Sequence, residues 1–165
     1  MFKITWKDED YKNLNYEFKP TYLKEGFEKY SDKTYEHSIG NHIYFLPNPM
    51  PEFVKETLDN NYFNKYSIKS AGLHLIKPGM FLPLHKDLYK GFKKAYNIDD
   101  FDITKVHRYI IFLEDSKSGH LLQIKNEVVS KWYAGGYLKW TGSESHAAYN
   151  LGTENRYTLQ VTCYV

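Results

Sequence analysis

The sequence predicts a mainly β protein with flanking helices, folded as a sandwich or jelly-roll barrel. Three observations carry this. The second half of the chain holds many short extended segments at regular intervals. Turn residues separate them, among them Lys125-Asn126, Ala134-Gly135-Gly136, Thr141-Gly142-Ser143 and Gly152-Thr153-Glu154-Asn155. Helical patterning is confined to short pieces in the first 65 residues and to one later insertion. Many short strands with turn chemistry between them are the pattern of sandwiches and jelly rolls.

In order along the chain, residues 1–65 mix extended and helical pieces as a flanking segment. Residues 51–60 begin with Pro51-Glu52 and end in Asp59-Asn60. They predict a short helix with proline in its first turn. A second helix is expected over 22–30. The jelly-roll core then occupies 66–165, and the whole chain, 1–165, is read as one domain. Residues 67–77 are extended and run into the turn Lys77-Pro78-Gly79. Further strands are expected at 81–85, 106–114, 119–125, 127–132, 136–140, 145–151 and 156–165. Between 88 and 102, Leu88, Tyr89, Phe92, Ala95 and Tyr96 fit a helical face interrupted by Gly91. This insertion directly follows Pro83-Leu84-His85-Lys86-Asp87 and could cover the mouth of a site.

Composition narrows the function classes. Hydrophobic residues make up 42% and charged residues 25%, as in a globular domain. Twenty-two basic residues nearly balance twenty acidic ones, and they are spread along the chain. No nucleic-acid footprint is expected. The single cysteine, Cys163, excludes disulfides within the chain and multi-cysteine zinc sites. No long apolar segment opens the chain or could span a bilayer, so neither a signal peptide nor a membrane partner is expected. A cytoplasmic location is the corresponding expectation. The 16 tyrosines and 10 phenylalanines could line an aromatic site. The plainer reading is core material in a composition rich in Lys, Asn and Tyr.

The sharpest local feature is Pro83-Leu84-His85-Lys86-Asp87. On extended chain, residues two apart share a side. His85 and Asp87 can thus converge on one ion, with Leu84 toward the core and Lys86 away. An imidazole plus a carboxylate suits a divalent first-row metal, and a second histidine would complete a two-His-one-carboxylate face with open positions. His-x-Asp alone is weak. His146, in Ser145-His146-Ala147-Ala148-Tyr149-Asn150, supplies the third ligand. If the last two strands pair about Leu151, Arg156 falls opposite His146. An arginine inside an apolar barrel needs an anion. A dicarboxylate chelating the metal at one end would provide it.

His85-x-Asp87, then His146, then Arg156 ten positions later resembles the 2-oxoglutarate and iron(II)-dependent dioxygenases. The surrounding residues are similar too: Lys77-Pro78-Gly79, Pro83, Trp132-x-Ala134-Gly135 and Asn150-x-Gly152. The resemblance covers roughly 70–165 and is greatest to small prolyl-hydroxylase-like or aspartyl-hydroxylase-like oxygenases, including ones from phage and marine bacteria. It implies a double-stranded β-helix, a jelly-roll or cupin-like barrel. It implies Fe(II) on His85, Asp87 and His146, with O2 and 2-oxoglutarate as co-substrates. The far carboxylate of 2-oxoglutarate would pair with Arg156. Oxidative decarboxylation to succinate and CO2 would drive hydroxylation of an unidentified small-molecule or peptide substrate. Prolyl-hydroxylase-like proteins often carry a tyrosine upstream of the first motif that touches the co-substrate; Ile76 stands near that place here. His74 and Tyr109 are substitute co-substrate contacts, although Tyr109 also reads as apolar-strand material. Arg108 is a third substitute contact; it reads as an exposed or rim residue, with a contact to an acidic substrate as the alternative. The remaining histidines, His37, His42, His107 and His120, read as surface or hydrogen-bonded structural groups. Two rivals stand beside this reading: a cupin-like metalloenzyme that does not use 2-oxoglutarate, and a non-catalytic barrel that binds a carbohydrate or protein.

Overall fold

The computed structural model describes residues 1–18, 41–45 and 49–165. The helix expected over 22–30 lies outside the described residues. Helix α1 spans Asp8–Lys12, and strands β1 and β2 span Glu17–Phe18 and Asn41–Tyr44. Helix α2 spans Glu52–Leu58, with Pro51 at its N-cap, one residue before the first turn. Strands β3 (Ile68–Ile76) and β4 (Phe81–His85) precede the short helix α3 (Lys90–Ala95). Then follow β5 (Val106–Phe112), β6 (His120–Ile124), β7 (Glu127–Val129), β8 (Tyr137–Thr141), β9 (His146–Asn150) and β10 (Arg156–Tyr164).

The strands form two antiparallel sheets, ordered β1-β2-β3-β10-β5-β8 and β4-β9-β6-β7. From β3 onward the chain passes back and forth between them. Strands β3, β5, β8 and β10 lie in the larger sheet; β4, the β6–β7 hairpin and β9 lie in the smaller. This winding is a double-stranded β-helix, so the predicted fold class holds. It also corrects one expectation. β9 and β10 are not a hairpin about Leu151. β9 pairs with β4 and β6, whereas β10 pairs with β3 and β5. Arg156 stands opposite Ile76, and His146 stands opposite His85 and Ile124. A five-residue connection serves a crossover between sheets as well as a hairpin, so local turn residues do not separate the two.

Side-chain parity divides the larger sheet into two buried faces. Leu73, Leu75, Tyr109, Ile111, Tyr157, Leu159 and Val161 point outward, where Phe2, Trp6, Tyr11, Phe53, Val54 and Phe63 of the flanking segment cover them. Trp6 Nε1 donates to Leu113 O at 2.8 Å, tying that layer to the end of β5. The aromatic residues are densest here: Phe2 stacks on Phe63 at 5.3 Å, and Tyr109 meets the Phe63 edge at 5.1 Å. The other face looks between the sheets, where Ile76, Leu82, Ile110, Phe112, Leu122, Trp132, Trp140 and Ala148 form a second core. A third cluster, Tyr89, Val106 and Tyr164 with Phe92 and Phe101, packs the insertion against one end of the barrel. No helix among the described residues is long and apolar enough to cross a membrane.

The opposite end is closed by backbone-to-backbone packing of two loops. Leu151 N donates to Gly119 O at 2.8 Å. A Cβ built on Gly152 would lie 2.0 Å from Ser118 O, so only glycine fits. Gly152→Ala should therefore lower the unfolding free energy by about 1–3 kcal/mol, the usual cost of overpacking. Gly91, in α3 with nothing within 4 Å of its Cβ position, should instead gain up to about 1 kcal/mol on Gly91→Ala. Urea denaturation midpoints of the two variants check both signs.

Candidate metal centre

Strand β4 delivers the first ligand through a bulge. Leu82 pairs with Ala148 and packs in the inter-sheet core, yet three residues later His85 pairs with His146, two residues before Ala148. The extra residue falls at Pro83-Leu84. Without it, His85 would share parity with Phe81 and face away from Leu82's side; with it, His85 turns inward. A proline is well placed there, since a bulge frees it from the ladder. The expectation that Leu84 faces the core is thus corrected: Leu82 fills that role, and Leu84 sits half-buried in the bulge.

His85, Asp87 and His146 come together. Their ligand atoms all lie within 4.8 Å of one another. His85 Nε2 is 3.8 Å from Asp87 Oδ1, and His146 Nε2 is 3.7 Å from Asp87 Oδ2. Each imidazole is oriented by a backbone carbonyl two residues earlier. His85 Nδ1 lies 2.7 Å from Pro83 O, and His146 Nδ1 lies 2.9 Å from Glu144 O. With Nδ1–H donating to a carbonyl, the Nε2 lone pair faces the shared space, as metal-binding histidines are arranged. Ser143 Oγ donates to Asp87 O at 2.6 Å and fixes the backbone beyond β4. Donor types, convergence and orientation fit a divalent first-row metal.

Electrostatics prepare the same state. Burial pushes the Asp87 carboxyl upward, but Arg108, His146 and His85 outweigh it and hold it at about 2. Burial drives His146 down to about 4, so it is a neutral donor near pH 7. Arg108 is the residue that sequence reasoning misplaced. It is 5% exposed and not on the rim. It shares the inward parity of Ile110 and Phe112 on β5. Its Nη2 donates to Asp87 Oδ2 at 2.6 Å and its Nη1 to Thr162 Oγ1 at 2.7 Å. The guanidinium lies over the Tyr89 ring at 4.9 Å. Tyr89 itself adopts φ 53°, unfavourable for a bulky residue, and its hydroxyl donates to Gly142 O at 3.0 Å.

Arg156 lies deeper between the same sheets. It is 3% exposed and stands over the Trp132 ring at 5.3 Å. Trp132 in turn stacks on Phe112 at 4.4 Å. Among the described residues, its Nε and Nη2 have no hydrogen-bond partner. Burial lowers its pKa to about 10, with Glu114 acting in the opposite direction. Arg156 sits beside Ile76, whose carbonyl accepts from Asn150 Nδ2 at 2.8 Å. Asn150 is four residues past His146, about 13 Å along the strand at about 3.3 Å per residue. Thr158, two residues on and buried, shares Arg156's parity and pairs with His74, which is buried too. His74 therefore lines the interior between the metal ligands and Arg156. Tyr109 does not: it points to the outer layer and bonds the Tyr66 hydroxyl, so its suggested co-substrate role is corrected. His120 bonds the Glu154 carbonyl at 3.1 Å, a structural contact.

Comparison with known proteins adds little to this geometry. No family model and no curated protein matches the chain. Solved structures with related shape include a protein described as a predicted oxalate decarboxylase from Thermotoga maritima, with 16% identity, 77% of this chain and 82% of that one covered, and TM-score 0.43. The cupin domain of Schizosaccharomyces pombe Cnp3 aligns with 8% identity, coverages of 76% and 65%, and TM-score 0.46. A cupin domain from Bordetella pertussis aligns with 10% identity, coverages of 59% and 82%, and TM-score 0.41. Similarities this distant assign no activity, and the fold assignment stands on the strand order.

The buried ligands predict how metal-free protein responds to acid. His146 titrates near 4 when folded, against an ordinary 6.5. Between those values the unfolded chain binds a proton that the folded chain refuses, so stability falls as pH drops through the window. The loss should be on the order of 3 kcal/mol. Asp87, held at about 2 against 3.8, adds a further loss as pH falls below 3.8. Urea midpoints from pH 7 to 4 should decline, and His146→Gln should flatten the decline. An equal slope in that variant would remove His146 as its cause.

Proposed function

We propose that this chain is an Fe(II)- and 2-oxoglutarate-dependent oxygenase that oxidises an unidentified substrate, releasing succinate and CO2. His85, Asp87 and His146 would hold the iron. Bound there, iron(II) supplies the dioxygen chemistry that couples oxidative decarboxylation of a 2-oxo acid to oxidation of a C–H bond.

The observation that carries the reading is Arg156. A guanidinium buried between two sheets, with Nε and Nη2 unpartnered among the described residues, is costly unless it meets an anion. Its place on the interior that also holds the three ligand residues selects an anion able to reach both. A dicarboxylate with a chelating keto-acid end has that form. The planar guanidinium can grip the far carboxylate through two parallel hydrogen bonds. Trp132 keeps the guanidinium plane in place, as a stacked aromatic does. Thr158 and His74 offer further polar contacts along the path. The apolar wall of Ile110, Phe112, Leu122 and Trp140 limits water around the reacting groups, which strengthens each of these electrostatic contacts.

The test is anaerobic titration of Fe(II)-loaded protein with 2-oxoglutarate, watching the visible metal-to-ligand charge-transfer band. Wild type should develop the band, and His146→Ala should not. Arg156→Ala should retain iron while its 2-oxoglutarate affinity falls by roughly thirtyfold or more, the consequence of removing one partner of a buried charge pair. No band in wild type, or undiminished affinity in Arg156→Ala, contradicts the reading. Tight iron binding with no response to 2-oxoglutarate would instead favour a cupin-like metalloenzyme of other chemistry.

A further inference from the structure

The 88–102 insertion and the candidate metal centre meet in one residue, Tyr89. We infer that Tyr89 is a positioning residue that couples the two, so that filling the metal site holds the insertion against the end of the barrel. This rests on the reading of His85, Asp87 and His146 as metal ligands and not on 2-oxoglutarate chemistry.

Tyr89 belongs to two structures at once. Its carbonyl accepts from Lys93 N at 2.9 Å, the bond that opens α3. Its side chain is buried, and Tyr89 is the one buried residue between 88 and 102. The ring lies under the Arg108 guanidinium at 4.9 Å, and that guanidinium donates to Asp87 Oδ2 at 2.6 Å. The Tyr89 hydroxyl donates to Gly142 O at 3.0 Å. Gly142 and Ser143 lie in the turn between β8 and β9 that leads to His146, and Ser143 Oγ donates to Asp87 O at 2.6 Å. One side chain therefore touches both the arginine that braces Asp87 and the turn that delivers His146.

The backbone is strained to make this placement. Tyr89 has φ 53° and ψ 20°, the left-handed region, where Cβ crowds the following carbonyl. Two other non-glycine residues have positive φ, Asn97 and Lys125. Asparagine tolerates that region, and Lys125 sits exposed in the β6–β7 hairpin turn. Tyr89 is bulky and buried, and such a conformation persists only where surrounding contacts over-determine it. The polar contacts are Arg108 and Gly142; Val106 and Tyr164 pack in the same cluster. No residue of α3 is itself buried. With a metal ion bound, Asp87 and His146 are fixed, and through them both polar anchors of Tyr89. Without one, the anchors fluctuate, and the strain favours release of Tyr89 and of the helix that starts on it. Two sites that stabilise one shared arrangement are coupled in this way.

Hydrogen exchange read by mass spectrometry, with and without saturating Mn(II), tests this without turnover. The reporters are the Lys93, Tyr96 and Ile98 amides, which bond within the insertion. In wild type, Mn(II) should slow exchange of the peptide spanning 90–98 by about tenfold. Tyr89→Gly suits the left-handed backbone and removes ring and hydroxyl together. It should bind Mn(II) up to about tenfold more weakly, and saturating Mn(II) should no longer slow that exchange. Tyr89→Phe keeps the ring under Arg108 and loses the bond to Gly142, so the slowing should fall to about threefold. A residue with only a packing role would speed exchange equally with and without Mn(II), leaving the wild-type ratio intact. That ratio in Tyr89→Gly, or in Tyr89→Phe should the glycine variant not fold, overturns the inference. So does Mn(II) binding to wild type with no slowing over 90–98, and the metal assignment survives each of these results. If wild type binds no Mn(II), the metal assignment fails and the coupling with it.

Discussion

Two guanidinium groups, Arg108 and Arg156, lie between the sheets of this barrel with almost no solvent access, and the cost of burying them organises the interior. A buried cation must be paired or it destabilises the fold by several kcal/mol. Arg108 is paired within the chain, through Asp87 and Thr162. Arg156 has an aromatic plane beneath it and feels the Glu114 carboxylate. One arginine thus braces the candidate ligand Asp87, and under the proposed function the other would hold an anion from outside. The apolar positions between them do the ordinary work of keeping that space dry.

Strand existence was readable from the residues because turn chemistry between short apolar runs is a local signal. The candidate ligands His85, Asp87 and His146 were readable for a related reason: two are neighbours in sequence, and the third opens a distinct strand. Arg108 was not. The segment Val106-His107-Arg108-Tyr109-Ile110-Ile111-Phe112 shows no alternation, because both faces of the larger sheet are buried, one by the partner sheet and one by the flanking segment. With alternation erased, nothing local tells which of Arg108 and Tyr109 faces the candidate metal centre. The pairing of His146 with Arg156 failed for another reason. Strand partners in a jelly roll are set by winding between sheets, and a turn of the same length serves either outcome. The bulge at Pro83-Leu84 was hidden as well, although a proline within a short strand is its one visible mark.

The flanking segment acquires a role that its sequence did not disclose. Its described aromatic residues close the outer face of the larger sheet, through Trp6, Tyr11, Phe53 and Phe63. Most of the tyrosines and phenylalanines named above are accordingly packing material, not site lining. That layer leaves the inward parity of β3, β5 and β10 free for polar residues, since the sheet is anchored by apolar contact from behind. His74, Arg108, Arg156, Thr158 and Thr162 all use it.

The claim at the centre of this account is that Arg156 receives the far end of a metal-chelating dicarboxylate. A crystal structure grown without oxygen, with Mn(II) and 2-oxoglutarate, tests it most directly. The account places the ion on His85, Asp87 and His146, with the keto-acid end of the ligand on the ion. The distal carboxylate should lie within hydrogen-bond distance of Arg156 Nε or Nη2. A ligand bound elsewhere, or bound at the metal with its distal carboxylate turned away from Arg156, would contradict it.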